Sequence, residues 1–142
     1  MNWNDISNKF KYDGSLRDIY VTQIESSTWN DFIKGIRNSE YKFVFTLDGK
    51  TLVIPENYKE IKVLQQYAAT LLSIYLPSGT RINCLFFVEY EIELDITPLE
   101  ITNESSFLEL YNFLHWLAKL TKKRVIVTYE DEQDKPFLEV SP

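Results

Sequence analysis

The segment from Glu89 to Ile96 alternates without a break, with Tyr90, Ile92, Leu94 and Ile96 on one side and Glu89, Glu91, Glu93 and Asp95 on the other. A period of two belongs to a β-strand, whose successive side chains leave opposite faces of the sheet. One face of this strand must be packed and the other must carry charge. Parallel sheets are covered on both faces and read as continuous apolar runs, whereas an antiparallel sheet can leave one face uncovered. The segment therefore points to a mainly antiparallel sheet with helices on one side only, an α+β fold.

The rest of the chain supplies the partners. Leu16 to Thr22, Tyr41 to Leu47, Lys50 to Ile54 and Leu71 to Leu76 are rich in β-branched and aromatic residues and read as strands. Asp48-Gly49 is a two-residue hairpin signal between the second and third of these. Arg81 to Val88 is apolar on both faces and is expected to be a central strand, which Glu89–Ile96 continues or pairs with through a bend. Arg124 to Tyr129 and Phe137 to Val140 complete the set, separated by an acidic loop from Glu130 to Lys135. That gives about six to eight strands, of the order usual for one sheet.

Two longer helices are expected. Thr28-Trp29-Asn30-Asp31 has the hydroxyl-x-x-acid pattern of a helix start. Trp29, Phe32, Ile33 and Ile36 then fall on one stripe. Residues 104–121 carry a broader stripe built on Phe107, Leu110, Tyr111, Leu114, Leu117 and Ala118. A weaker pattern over 56–68 suggests a short third helix. The first 15 residues are polar and mixed and end in the turn signal Asp13-Gly14-Ser15. The order strand, helix, strand, strand occurs twice, from Asp18 to Pro55 and from Asp95 to Val140. It reads as two β-α-β-β units, either an internal duplication or a local solution that recurs, in one domain spanning 1–142.

Charge narrows the partners. Residues 1–88 carry 10 basic and 9 acidic side chains, and residues 89–142 carry 5 basic and 12 acidic. From Glu89 to Glu109 there are seven acids and no Lys or Arg. Such a field repels nucleic acid and anionic membrane and favours basic partners. Apolar runs are five or six residues long at most, far below the roughly 18 of a membrane span. The start Met1-Asn2-Trp3-Asn4-Asp5-Ile6 lacks the pattern of a signal peptide, so a cytoplasmic location is expected.

Residues equipped for chemistry are few. One His and one Cys rule out a Cys/His zinc site within one chain, and Cys84 reads as a buried core thiol. His115 falls opposite the apolar stripe of its helix and is expected to face water. Four glycines cannot supply a phosphate-cradling loop. Trp29, Tyr90 and Trp116 read as core or half-buried rings. No catalytic residue, cofactor or metal ligand is assigned. The acidic row Glu89, Glu91, Glu93 and Asp95 is read first as a solvated face. Its second reading, together with Glu130, Asp131 and Glu132, is a docking surface for a basic protein, because a row of like charges on one strand is mildly destabilising.

Phe10-Lys11-Tyr12-Asp13-Gly14-Ser15-Leu16-Arg17-Asp18-Ile19-Tyr20-Val21 with Thr28-Trp29, then Asn83-Cys84-Leu85-Phe86-Phe87 and Glu91-Ile92-Glu93-Leu94-Asp95-Ile96, resembles a group of small uncharacterised bacterial proteins. These look like the acidic immunity proteins that neutralise antibacterial toxins. The resemblance implies a non-enzymatic, protein-binding domain that occludes a basic toxin, and it assigns no residue roles. A secretion chaperone or adaptor is the alternative, and a small-ligand binder or enzyme the third. A homodimer is left open.

Overall fold

The alternating strand lies near the middle of the fold, where its two unlike faces have the most consequence. The computed structural model describes residues 1–142. Its strands are β1 (Arg17–Thr22), β2 (Lys42–Leu47), β3 (Lys50–Leu52), β4 (Thr70–Tyr75), β5 (Arg81–Cys84), β6 (Glu91–Ile96), β7 (Val125–Tyr129) and β8 (Leu138–Val140). They form one eight-stranded sheet in the order β3-β2-β4-β5-β6-β1-β7-β8, and every neighbouring pair is antiparallel.

Register carries the alternation from strand to strand. Opposite residues share a face, so Ile19 meets Leu94 and Val127 on one side of the sheet. Leu72 meets Cys84, which meets Leu94. These side chains join one core with α2 (Ser26–Asn38) and α4 (Glu104–Thr121). Trp29, Phe32, Ile33 and Ile36 of α2, with Phe107, Leu110, Phe113 and Leu114 of α4, are fully buried in it. Both long helices thus cover the same face. They pack tightly at Gly35, where an added Cβ would stand 2.5 Å from Leu120 Cδ2. The helix α4 starts at a capping box in which Asn103 accepts from Ser106 N and Ser106 Oγ accepts from Asn103 N.

Both strand-helix-hairpin units are present, but they are placed differently. From β1, α2 leads to β2 across the positions of three intervening strands; from β6, α4 leads to β7 across β1 alone. The hairpins β2–β3 and β7–β8 end up as the two edges of the sheet. The turn between β2 and β3 is Asp48-Gly49, both with positive φ (52° and 76°), as a primed two-residue hairpin requires.

Several boundaries differ from the sequence expectation, each for a tertiary reason. The strand expected over 81–88 ends at Cys84. Phe86 takes a positive φ of 60° and turns its ring into the core against Trp29, at 5.3 Å between centroids. Side chains satisfy the backbone released there: Gln65 Nε2 donates to the Leu85 and Phe86 carbonyls, Lys62 Nζ to those of Phe86 and Phe87, and Trp29 Nε1 to Val88. Apolarity on both faces therefore reflects a turn that buries Phe86 and leaves Phe87 54% exposed, rather than a longer strand. Tyr90, expected in or near the core, is 65% exposed in the connection before β6. The strand β3 stops at Leu52, and Val53 is 91% exposed.

The helix α2 begins at Ser26, not after a Thr28 cap, and its N-cap Glu25 makes no side-chain cap bond. Buried Ile24, whose N–H donates to Tyr90 O, anchors the entry one turn earlier. The short helix α3 spans Tyr58–Leu64, capped by Asn57. The N-terminal residues are not merely polar. Trp3–Ile6 forms α1 and Ser7–Phe10 a 3-10 turn, and together they drive Ile6 and Phe10 into the core beside Phe107 and Phe137.

Candidate functional site: an acidic face on β1 and β6

Because Ile92, Leu94 and Ile96 point to the helices, Glu91, Glu93 and Asp95 must leave the opposite face. The strand β1 lies beside β6 and repeats the pattern: Asp18 is opposite Asp95, Tyr20 opposite Glu93, and Thr22 opposite Glu91. The sheet thereby sets Asp18 and Asp95 directly across from one another, an arrangement that repels.

Neutral donors hold the carboxylates. Asn83 Nδ2 donates to Asp95 Oδ1 at 2.9 Å, and Tyr20 Oη to Asp18 Oδ2 at 3.1 Å. The loop between β7 and β8 supplies the rest. Asp131 N donates to Asp18 Oδ2 at 3.0 Å, and Gln133 Nε2 to Glu91 Oε1 at 2.8 Å. Glu130 Oε1 accepts from Leu16 N at 2.7 Å. The loop thus reaches past β7 over β1 as far as β6, a strap with acids of its own resting on an acidic surface.

Burial and crowding leave their mark on ionisation. Burial, with Asp18, Glu91, Asp131 and Asp95 as like-charged neighbours, pushes the Glu93 carboxyl up to about 7. Asp18 is raised chiefly by burial, against the opposing hydrogen bonds from Asp131 N and Tyr20. Asp95 is also raised by burial, with Asn83 opposing. The Tyr20 hydroxyl is driven upward by burial and by the Asp18 and Glu93 charges. The three ion pairs of the protein, Arg17–Asp13, Arg37–Glu56 and Arg124–Glu139, involve none of the carboxylates on this face.

The structure brings together five of the seven acids singled out from sequence: Glu91, Glu93, Asp95, Glu130 and Asp131. Glu89 lies outside β6 and is exposed, near enough to Tyr58 to help raise its hydroxyl to about 12, after burial. Glu132 serves the turn through its backbone, donating to Tyr129 O and accepting from Lys135 N. The first reading of the strand, a plainly solvated face, is corrected. Glu91, Glu93 and Asp95 are half-buried, and the neighbouring Asp18 is buried. The strap and the neighbouring strand β1 are what remove them from water.

Four residues of the site escaped the sequence reading: Asp18, Tyr20, Asn83 and Gln133. Asp18-x-Tyr20-x-Thr22 does alternate against Ile19 and Val21. Its adjacency to β6 is a matter of long-range register that no local pattern carries.

Chemically, the face can hold a proton near neutral pH and can attract cations. Four surface clefts, of about 640, 460, 340 and 300 Å³, are lined by other residues. No three His, Cys, Asp or Glu side chains are grouped so as to hold a metal ion. Cys84 is buried, and its thiol is raised by that burial. His115 is half-buried rather than fully solvated, edge-on to Tyr111 at 4.7 Å. No helix is long and apolar enough to cross a membrane.

No protein-family model, curated protein or solved structure matches this chain. The likeness to immunity proteins is one of size, charge and α+β style, with no immunity signature motif.

Proposed function

We propose that this chain is a non-enzymatic protein-binding domain, most concretely an immunity-type inhibitor, whose acidic face docks a basic surface of its partner. The supporting observation is the pairing of the acidic strand β6 with Asp18 of β1, Asp18 against Asp95 with Glu93 and Glu91 alongside, under a loop that adds Glu130 and Asp131. The arrangement costs the folded protein stability, because only neutral hydrogen bonds and the nearby Arg81 charge beside Asp95 oppose the repulsion. A Lys- or Arg-bearing surface laid on this face would relieve it. The same field would steer encounter and make association sensitive to salt.

The test is capture from the source cells with wild-type protein and with a Glu91→Lys/Glu93→Lys variant as baits. Wild-type protein should retain a basic protein at low salt and release it as salt rises, and the variant should lose it. A partner held equally by both baits would place the interface elsewhere. Inhibition of that partner's toxicity by wild-type protein alone would support the immunity reading over an adaptor role.

A further inference from the structure

On the helix-covered side, away from the acidic face, a cleft of about 640 Å³ opens between the end of α2, the start of β2, the end of β4 and the middle of α4. Its volume lies within the roughly 300–1,000 Å³ typical of small-molecule sites. Glu109, Asn112 and Trp116 line it from α4 at i, i+3 and i+7, and so form one stripe along the helix. Tyr41 and Asn38 line the facing wall.

The walls are built rather than incidental. The Tyr41 ring stands edge-on to both Phe113 and Trp116, at 5.4 Å between centroids in each case, so the indole is held by its neighbours. Ser39 Oγ accepts from Tyr41 N and donates to Ile36 O, which fixes the turn that presents Tyr41. Glu109 accepts from Ser78 N and Ser78 Oγ, which sets its carboxylate in place and leaves further lone pairs open.

The ligand class follows from this set. The half-buried indole, packed by Tyr41 edge-on and by Phe113 at 33°, lines the cleft with its remaining apolar surface, which suits a ring with C–H bonds on one face. Asn38 and Asn112 each present a donor and an acceptor, and Glu109 presents acceptors, the complement of vicinal hydroxyls. The lining charges are Glu40, Glu109 and Lys42, a net of one negative charge, which disfavours phosphates and carboxylates. We propose that this cleft binds a neutral saccharide, its pyranose ring laid on Trp116 and its hydroxyls shared among Asn112, Asn38 and Glu109. The site is independent of the protein-docking face.

The test follows the side-chain indole N–H signals of the three tryptophans by NMR. Trp116 is assigned with Trp116→Phe. The probes are glucose, galactose, N-acetylglucosamine, cellobiose and chitobiose, with inorganic phosphate as the charged control. At least one sugar should shift the Trp116 signal saturably below about 50 mM, and Asn112→Ala should weaken that binding by about tenfold. Asn112 is exposed, so this variant keeps its fold. Silence from all five sugars overturns the assignment. So does a shift that Asn112→Ala leaves unchanged, or a larger response to phosphate.

Discussion

The guanidinium of Arg17 lies 4.6 Å from the centre of the Tyr129 ring, the residue opposite it across β1 and β7. Arg17 is 1% exposed yet faces the core side of the sheet. The N-terminal turns enclose it: Nε donates to Lys9 O at 2.7 Å, Nη2 to Lys11 O at 2.8 Å, and Nη1 to Ser15 Oγ at 3.0 Å. A buried cation thus ties the first helical turns to the sheet. Replacing it with Lys keeps the charge and loses the planar fork. Arg17→Lys should destabilise by about 2–3 kcal/mol and Arg17→Met by more, because the carbonyls of Lys9 and Lys11 are left without a partner. Urea unfolding measures both, and an effect below about 0.5 kcal/mol would show that the N-terminal turns are not held through this side chain.

Stability should rise on mild acidification. The Glu93 carboxyl is raised from 4.5 to about 7, so between these values the folded protein keeps a proton that the unfolded chain has released. This contribution is fully present below about 4.5 and is lost as pH climbs through 7. Asp18 and Asp95, also raised, act in the same direction. Glu93→Gln should weaken the dependence, leaving the part due to Asp18 and Asp95, and stabilise the protein at pH 8 by on the order of 1 kcal/mol, once solvent screening of this half-exposed group is allowed for. Thermal melts from pH 5 to 8 provide the check. A wild-type midpoint that increases over that range would contradict the assignment.

The strap is held to β6 by Gln133. Converting it to Glu sets a carboxylate against Glu91 and removes the donor. The Asp131 amide, bonded to Asp18, should then exchange with solvent about 10-fold faster, while amides in β4 and β5 are unaffected. Equal protection in wild type and Gln133→Glu would mean that the loop is held by Glu130 and the Asp131 amide without it.

Cys84 provides a probe of global opening. It is buried on the core side of β5, and its thiol is pushed up by burial. Modification by a water-soluble disulfide reagent should be slow in native buffer and should keep pace with unfolding as urea is added. Rapid labelling without denaturant would reveal local opening between β4 and β6.

The sheet, both covering helices and their common face were legible because each rests on a local period: two in β6, and 3.6 in α2 and α4. What escaped was long-range. Arg81 to Val88 looked like a strand because Phe86 is apolar, but Phe86 is buried by a left-handed turn whose carbonyls Lys62, Gln65 and Trp29 collect from other elements. Trp3, Ile6 and Phe10 are scattered among polar residues, and only the aromatic cluster with Phe107 and Phe137 gives them purpose. Five acids of the face on β1 and β6 could be singled out from charge pattern alone. Asp18 could not, because its place beside Asp95 depends on a pairing between segments some 75 residues apart, which local reading does not reach.

The position of β1 has a consequence for how this protein comes into being. Its two neighbours, β6 and β7, are made long after it, and the ribosome must proceed through Tyr129 before both flanks of the strand can close. Until then at least one flank of a strand containing Ile19 and Val21 waits unpaired. Assembly should therefore be late, concerted and slow for a domain of this size, and the nascent chain should depend on chaperones during translation.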